Sequence, residues 1–265
     1  MKKKLDSPLS DIYIGQVTQQ WAAAHHLKSF YLPEVASTST WAKSEALSED
    51  LSDQHFFLYL TDSQTAGRGR SKVEAASQQS TTTTWSQGRA GGSLLCTWSF
   101  ECEHFPRPTC TALIGLALWK ALSSTWSFLP FSLKAPNDIY LGADKLAGLL
   151  VETISQGTKT RLLVGLGLNV LDHPFSVKRS TSLVENLSLH KIPLLGEDWS
   201  AFLDRLFLEL TEVVQKSSEE ISTTDEKNIL WALNLHPTIK DPFVQFTVEG
   251  HLLTENKKTI SWMEL

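Results

Sequence analysis

The sequence predicts an α+β fold, with a largely antiparallel β-sheet backed by helices and a small β-unit at the C-terminus. Three observations point that way. Short apolar runs between Phe131 and Val170 follow one another with only tight turns between them, which suits antiparallel hairpins and not the crossovers of a doubly wound sheet. The run from Thr111 to Leu122 and the segment from Gly196 carry apolar residues at helical spacing. The last stretch alternates apolar and polar residues, as a half-buried strand does.

Along the chain, a polar lead gives way to FYLPEV, a strand, and then to STSTWAKSEAL, a loop feeding a helix with Ser and Thr at its start. FFLYL reads as a short buried strand that runs into DSQTAGRGR. Ser71 to Thr84, with its QQSTTTT, lacks apolar anchors and reads as a mobile loop. SLLCTWSF is the next strand, and TALIGLALWKAL is apolar enough for a buried helix. FSLKAPNDIYL, KLAGLLVETI and RLLVGLGLNV are then strands separated by the turn chemistry of GAD and SQGT. Trp199, Phe202, Leu203, Leu206, Leu210, Val213 and Val214 keep one apolar face, predicting an amphipathic helix against the sheet. QKSSEEISTTDEK reads as a linker. Beyond it, FVQFTVEGHLL and KTISWMEL pair across ENK in a unit too small to be stable alone. The expected division is 1–220 and 221–265.

A chain of 265 residues with 42% apolar content can bury a substantial core. A net charge of −5 argues against a general nucleic-acid coat or an anionic-membrane binder. No apolar run approaches the roughly 20 residues that a membrane crossing needs, and MKKK leads into a polar stretch and not a signal-peptide core. A cytoplasmic protein is expected. Cys96, Cys102 and Cys110 lack metal-ligand spacing and are odd in number, so reduced, buried thiols are expected rather than disulfides or a zinc site. Trp21 and His25-His26 in the lead read as packing and surface residues.

Chemistry concentrates in three places. AGRGR, Ala66 to Arg70, alternates glycines, which let backbone approach a ligand closely, with arginines, whose donor forks suit carboxylate and phosphate oxygens. It reads as an anion-gripping loop or as a solvated basic turn, and it is not a GxxxxGK[ST] phosphate loop. In KAPNDIYLGADKLAGLLVE, Lys134 to Glu152, Lys145 opens an apolar strand, where an ammonium needs an anion or must snorkel to water. In GLGLNV, the glycines leave room on one strand face for a flat ligand or for a helix.

In this order, the motifs STST, QTAGRGR, KAPND, KLAGLLVE and GLGLN resemble the biotin protein ligase family over roughly residues 30 to 215. The resemblance implies a mixed sheet backed by helices, like that of class II synthetases, and a smaller C-terminal β-unit. It implies a ligase that makes biotinyl-5'-AMP from biotin and ATP with Mg²⁺. Biotin then passes to a lysine on the biotin-carrier domain of a carboxylase such as acetyl-CoA carboxylase. Carried over by position, Ser37, Thr38, Ser39 and Gln64 would meet the ureido ring of biotin. Arg68, Gly69 and Arg70 would order around the carboxylate and phosphate, and Gly148, Leu150 and Gly167 would line the pocket. Lys145 would touch the biotin carboxyl oxygen and the bridging phosphate and, with Arg70, act at the reacting centre. Trp85, Asn137, Asp138 and Asn169 would serve the nucleotide, Asp138 beside its magnesium, and no resident metal set is implied.

The sequence departs from the pattern in four places. Ala135 stands where the family has Trp, and Ser39 stands where it has Asn. Residues Ser71 to Thr84 lengthen the loop before Trp85, and the C-terminal unit lacks the expected glycines. The motif match begins near residue 30, so the winged-helix domain of some members is not expected, nor is DNA binding. Members occur as monomers and homodimers, and the residues choose neither. A lipoate or octanoate ligase or transferase shares the fold, and a non-catalytic biotin or nucleotide sensor is the reading from another class.

Overall fold

A computed structural model describes residues 12–46, 48, 55–73, 80–85 and 87–264, with the side chains of 70–73, 80–84 and 264 outside the description. In chain order the elements are α1 (Ile14–Ala24), β1 (Ser29–Val35), α2 (Thr38–Glu45), β2 (Phe56–Gln64), β3 (Arg68–Val73), β4 (Ser80–Thr84) and β5 (Ser93–Cys102). They continue with α3 (Cys110–Thr125), β6 (Phe131–Lys134), β7 (Asp138–Leu141), β8 (Asp144–Gln156), β9 (Lys159–Asn169), α4 (Leu183–Leu189), α5 (Gly196–Gln215), α6 (Thr223–Asn234), β10 (Phe243–Phe246), β11 (His251–Thr254) and β12 (Thr259–Ser261).

The chain divides into two compact units, Ser10–Glu101 with Gly148–Glu185, and Cys102–Ala147 with Asn186–Leu265. In the first, strands run in the order β1-β2-β5-β9-β8. β1 and β2 are parallel, joined through α2, and β2 and β5 are antiparallel, so the sheet is mixed. β5 is central and almost wholly buried, with Ser93, Thr97 and Ser99 buried among its apolar residues. Phe57, Tyr59, Ala42, Ala46 and Leu163 form a core cluster under α2. Trp98 meets Trp21 of α1 edge-on at 6.1 Å. Full burial of such side chains contributes about 1.5–3 kcal/mol each.

α1 lies in what the sequence suggested was a polar lead. Its apolar residues Ile14, Val17, Trp21 and Ala22 keep helical spacing and are buried, but polar Gln and Thr residues between them mask the pattern. The Ser71 to Thr84 stretch, expected as a loop, instead forms the antiparallel hairpin β3-β4 over its described residues, with Ser71 opposite Thr82 and Val73 opposite Ser80. A run of β-branched threonines favours extended backbone even without a hydrophobic face.

In the second unit, β6 and β7 form a hairpin, with Lys134 opposite Asp138, beside the opening residues of β8. The turns after β7 and after β8 place Gly142 and Gly157 at φ of +60° and +61°, the backbone conformation glycine adopts without strain. α3 is apolar on nearly every side and packs on β6, α5 and α6. That explains a second difference. The apolar face of α5 packs on α3, where the sequence had suggested the sheet, because a helix that is apolar all round has a second face to cover. α6 also begins inside the run read as a linker. Ser222 caps it, accepting from the Asp225 N–H, and Asp225 and Glu226 suit its first turn. β10, β11 and β12 form the antiparallel C-terminal sheet.

Among the described residues no helix is long and apolar enough to cross a membrane. The three cysteines are free and buried, and burial pushes the Cys110 thiol up to about 12.

Candidate active site

In the first unit, α2 starts where β1 ends, and Ser37 caps it by accepting from the Thr40 N–H at 3.5 Å. This turns Ser37, Thr38 and Ser39 inward, where all three are buried. The Thr38 N–H donates to Gln64 Oε1 at 2.8 Å, and its hydroxyl reaches the same oxygen at 3.3 Å. Thr97 donates to Thr38 Oγ1 at 3.0 Å and lies 3.5 Å from Ser39 Oγ. The outcome is a buried, uncharged wall of hydroxyls and one amide, drawn from α2, β2 and β5. Lys43 of α2 pairs with Glu152 of β8 at 2.5 Å, tying the wall's helix to the strand that carries KLAGLLVE.

Beside the wall, β9 presents Gly165, Gly167 and Asn169 at alternate positions. A Cβ at Gly165 would sit 2.8 Å from Ser39 Oγ and 3.3 Å from the Leu150 carbonyl, so this glycine is what lets Ser39 approach. A Cβ at Gly167 would run into the Trp85 indole. The room the sequence reserved for a flat ligand is thus filled here by a flat side chain. Asn169 is buried and donates to the Thr181 carbonyl at 3.1 Å. Trp85 is held from behind: its backbone N–H donates to the Gly67 carbonyl at 3.0 Å, and a Cβ on Gly67 would meet the Trp85 backbone and the Gln64 amide. Gly67 therefore brings the GRGR loop, Gln64 and Trp85 together. Arg68 is exposed, Gly69 is partly buried, and the Arg70 side chain lies outside the described residues. Gly148 and Leu150 of β8 are partly buried.

Lys145 belongs to the second unit, where it opens β8. Its ammonium lies 2.7 Å from Asp138 Oδ1, and the two side chains are 31% and 20% exposed. The anion expected for Lys145 is thus supplied from within the chain, by the acidic residue of the PND turn. Trp262 Nε1 donates to the Pro136 carbonyl at 2.9 Å, and Ala135 and Trp262 are both buried. The 3-10 turn that follows β12 thereby secures the turn that carries Asn137 and Asp138. Lys134 Nζ sits 5.1 Å from the Tyr140 ring centre, and Tyr140 meets His236 edge-on at 4.7 Å. Burial first, and then Lys134, holds the His236 pKa below its ordinary value.

Sequence reasoning missed Thr97, Gln87 and Asp172. Thr97 carried little signal, since Ser93 and Ser99 are buried hydroxyls on the same strand. Gln87, whose Oε1 accepts the Gln64 N–H at 3.0 Å, and Asp172, whose Oδ2 accepts the Arg89 N–H at 2.9 Å, meet residues from distant segments and had none. Among the described residues no cluster of His, Cys, Asp and Glu could hold a metal ion by itself. A magnesium ion bound chiefly by nucleotide phosphates needs only one or two carboxylates, and Asp138, paired at one oxygen and partly exposed, fits that lesser demand.

Residues 31–169 match the model of the biotin/lipoate A/B protein ligase family. Among solved structures, a biotin protein ligase from Aquifex aeolicus, in complex with biotin and ATP, is similar with a TM-score of 0.58 and 25% identity, over 89% of this chain and 97% of that one. A Leishmania major biotin protein ligase in complex with biotinyl-5-AMP gives 0.54 at 19% identity, covering 88% of this chain and 97% of that one. The biotin acetyl coenzyme A carboxylase synthetase of Helicobacter pylori gives 0.55 at 14%, covering 88% and 96%. The last two likenesses concern the fold alone.

Proposed function

Since the chain belongs to the biotin/lipoate A/B protein ligase family, we propose that within it this protein is a biotin protein ligase. It forms biotinyl-5'-AMP from biotin and ATP, and it transfers biotin to a lysine on the biotin-carrier domain of a carboxylase, with acetyl-CoA carboxylase the expected owner. The catalytic domain is assigned to 1–220, the C-terminal β-unit to 221–265, and the compartment to the cytoplasm.

The buried neutral wall of Ser39, Thr38, Thr97 and Gln64 carries this reading. A ureido ring has two N–H donors and a carbonyl acceptor, so it can exchange for each bond the wall makes with itself. The dithiolane ring of lipoate offers none, and a site built to hydrogen-bond rejects a ligand that leaves its polar groups unmet.

In the first step a biotin carboxylate oxygen attacks the α-phosphorus of ATP, the bond to the bridging oxygen breaks, and pyrophosphate leaves. Two anions must meet, and Lys145 with Arg68 and Arg70 would offset the repulsion and the charge that develops in transfer. Lys145 can do so by exchanging Asp138 for substrate oxygens. A magnesium ion, held by Asp138 and the nucleotide, would add further neutralisation. Next, an acceptor lysine in its neutral form attacks the acyl carbon, the bond to the phosphate oxygen breaks, AMP leaves, and the amine gives up a proton. No nucleophile from the enzyme is required.

Calorimetry with biotin, lipoate and ATP, followed by mass detection of an AMP-linked product, tests the reading. Biotin binding and biotinyl-AMP are expected. Lipoate binding with lipoyl-AMP would move the chain to the lipoate branch, and biotin binding without adenylate would make it a sensor.

A further inference from the structure

We propose that Asp172, three residues beyond β9, is a positioning residue that sets where Trp85 lies, by gripping the glycine-rich segment Gln87–Gly92. The proposal rests on the reading of Trp85 as part of the nucleotide-binding site.

Asp172 Oδ2 accepts the Arg89 backbone N–H at 2.9 Å and lies 3.8 Å from the Arg89 guanidinium Nε. Its Oδ1 is buried and accepts no hydrogen bond among the described residues. A Cβ added at Gly88 or at Gly92 would in either case run into the Asp172 carboxyl group. Both glycines are therefore bare because a carboxylate occupies the place of their side chains, and the segment is folded around that carboxylate.

The grip has a consequence at both ends of the segment. At its far end the Gly92 carbonyl accepts from the Leu171 N–H at 2.8 Å and the Val170 N–H at 3.3 Å, so the segment is fastened to the exit of β9. At its near end Gln87 Oε1 accepts the Gln64 N–H at 3.0 Å, and its amide donates to Ser63 Oγ at 3.2 Å. Gln64 is the residue that receives Thr38 in the neutral wall. Trp85, two residues before Gln87, lies over Gly167. One carboxylate thus fixes the backbone that aims an indole across β9 and registers it with the hydrogen-bonding wall.

Asp172→Ala should raise the KM for ATP in adenylate formation about ten- to a hundredfold, the usual loss when an aromatic side chain no longer stacks on a base, while kcat changes little. A role confined to stability would instead lower the melting temperature and leave KM alone. Gly88→Ala should be destabilising on its own and tolerated with Asp172→Ala, because the collision needs both groups; equal penalties in the two backgrounds would overturn the grip. A ligand-free crystal structure of Asp172→Ala should show the indole displaced from Gly167, and an indole still in place would overturn the positioning role. Wild-type protein that makes no adenylate would sink the functional reading instead, and the indole's place in that structure would still decide this one.

Discussion

The two sets of candidate site residues are built on opposite principles. The wall in the first unit is neutral and buried, with Thr38, Ser39 and Thr97 all within a few per cent of full burial and bonded to one another or to Gln64. The set in the second unit is charged and wet, an ammonium and a carboxylate 2.7 Å apart with a fifth to a third of each side chain exposed. Neutral hydrogen bonds in a low dielectric hold a fixed shape and are expensive to leave half-made, which suits recognition of a ring. A partly solvated ion pair contributes about 0–1 kcal/mol and can be parted cheaply, which suits a cation that must change partners during a reaction. Damage to the first should therefore appear in stability and affinity, and damage to the second in rate.

The largest effect is expected at Lys145. Lys145→Ala should lower the rate of biotinyl-AMP formation by about 10²–10³, the usual consequence of removing a group that stabilises developing charge, with circular dichroism little changed. Single-turnover measurement of adenylate separates the chemical step from transfer. A variant that keeps its rate would remove the charged set from the mechanism and collapse the contrast. Asp138→Asn sharpens the same test, since it should leave the melting temperature close to wild type while altering the dependence of the rate on magnesium concentration.

Next in size is Thr97→Val, which keeps the shape but leaves Thr38 and Ser39 short of a partner. A loss of about 1–3 kcal/mol in stability is expected from the unmet buried groups, together with weaker biotin binding by calorimetry and an unchanged single-turnover rate at saturation. A fall in rate without a fall in stability would show that the wall is not the passive recognition surface that its burial suggests.

Much of both regions was legible in the sequence, for reasons that differ. The strands of β5, β8 and β9 and the turns at Gly142 and Gly157 follow from local patterns, because a continuous apolar run and a glycine between strands each have few structural readings. Lys145 stood out because a charge opening an apolar strand demands an explanation within reach. Asp138 as its partner was not legible, since the two meet only through the register of a hairpin. The wall was legible in part: Ser and Thr at a helix start are readable locally, Gln64 came only with the family resemblance, and Thr97 joins them only when β2 and β5 pair. Helix α1 and hairpin β3-β4 escaped notice because polar residues on one face, or on both, conceal elements whose backbone is nonetheless regular.

The smallest effect separates the regions by acidity. His236 is buried, with Nδ1 2.8 Å from the Thr238 hydroxyl and its ring against Tyr140, and burial followed by Lys134 depresses its pKa below 6.5. The folded state therefore disfavours the imidazolium that the unfolded chain accepts. The sign follows from linkage: the stability due to neutral His236 is fully present above about pH 6.5 and is lost as the pH falls through the lower folded value. Melting temperature should thus decline on acidification from about pH 7 to about pH 5, in the range where an imidazole changes charge, and His236→Phe should decline less steeply. The hydroxyl wall holds no group that titrates in that range, so Thr97→Val should run parallel to wild type. Parallel curves for His236→Phe and wild type would mean that the acid sensitivity arises elsewhere, and that the Lys134, Tyr140 and His236 stack behaves as ordinary packing beside the charged turn.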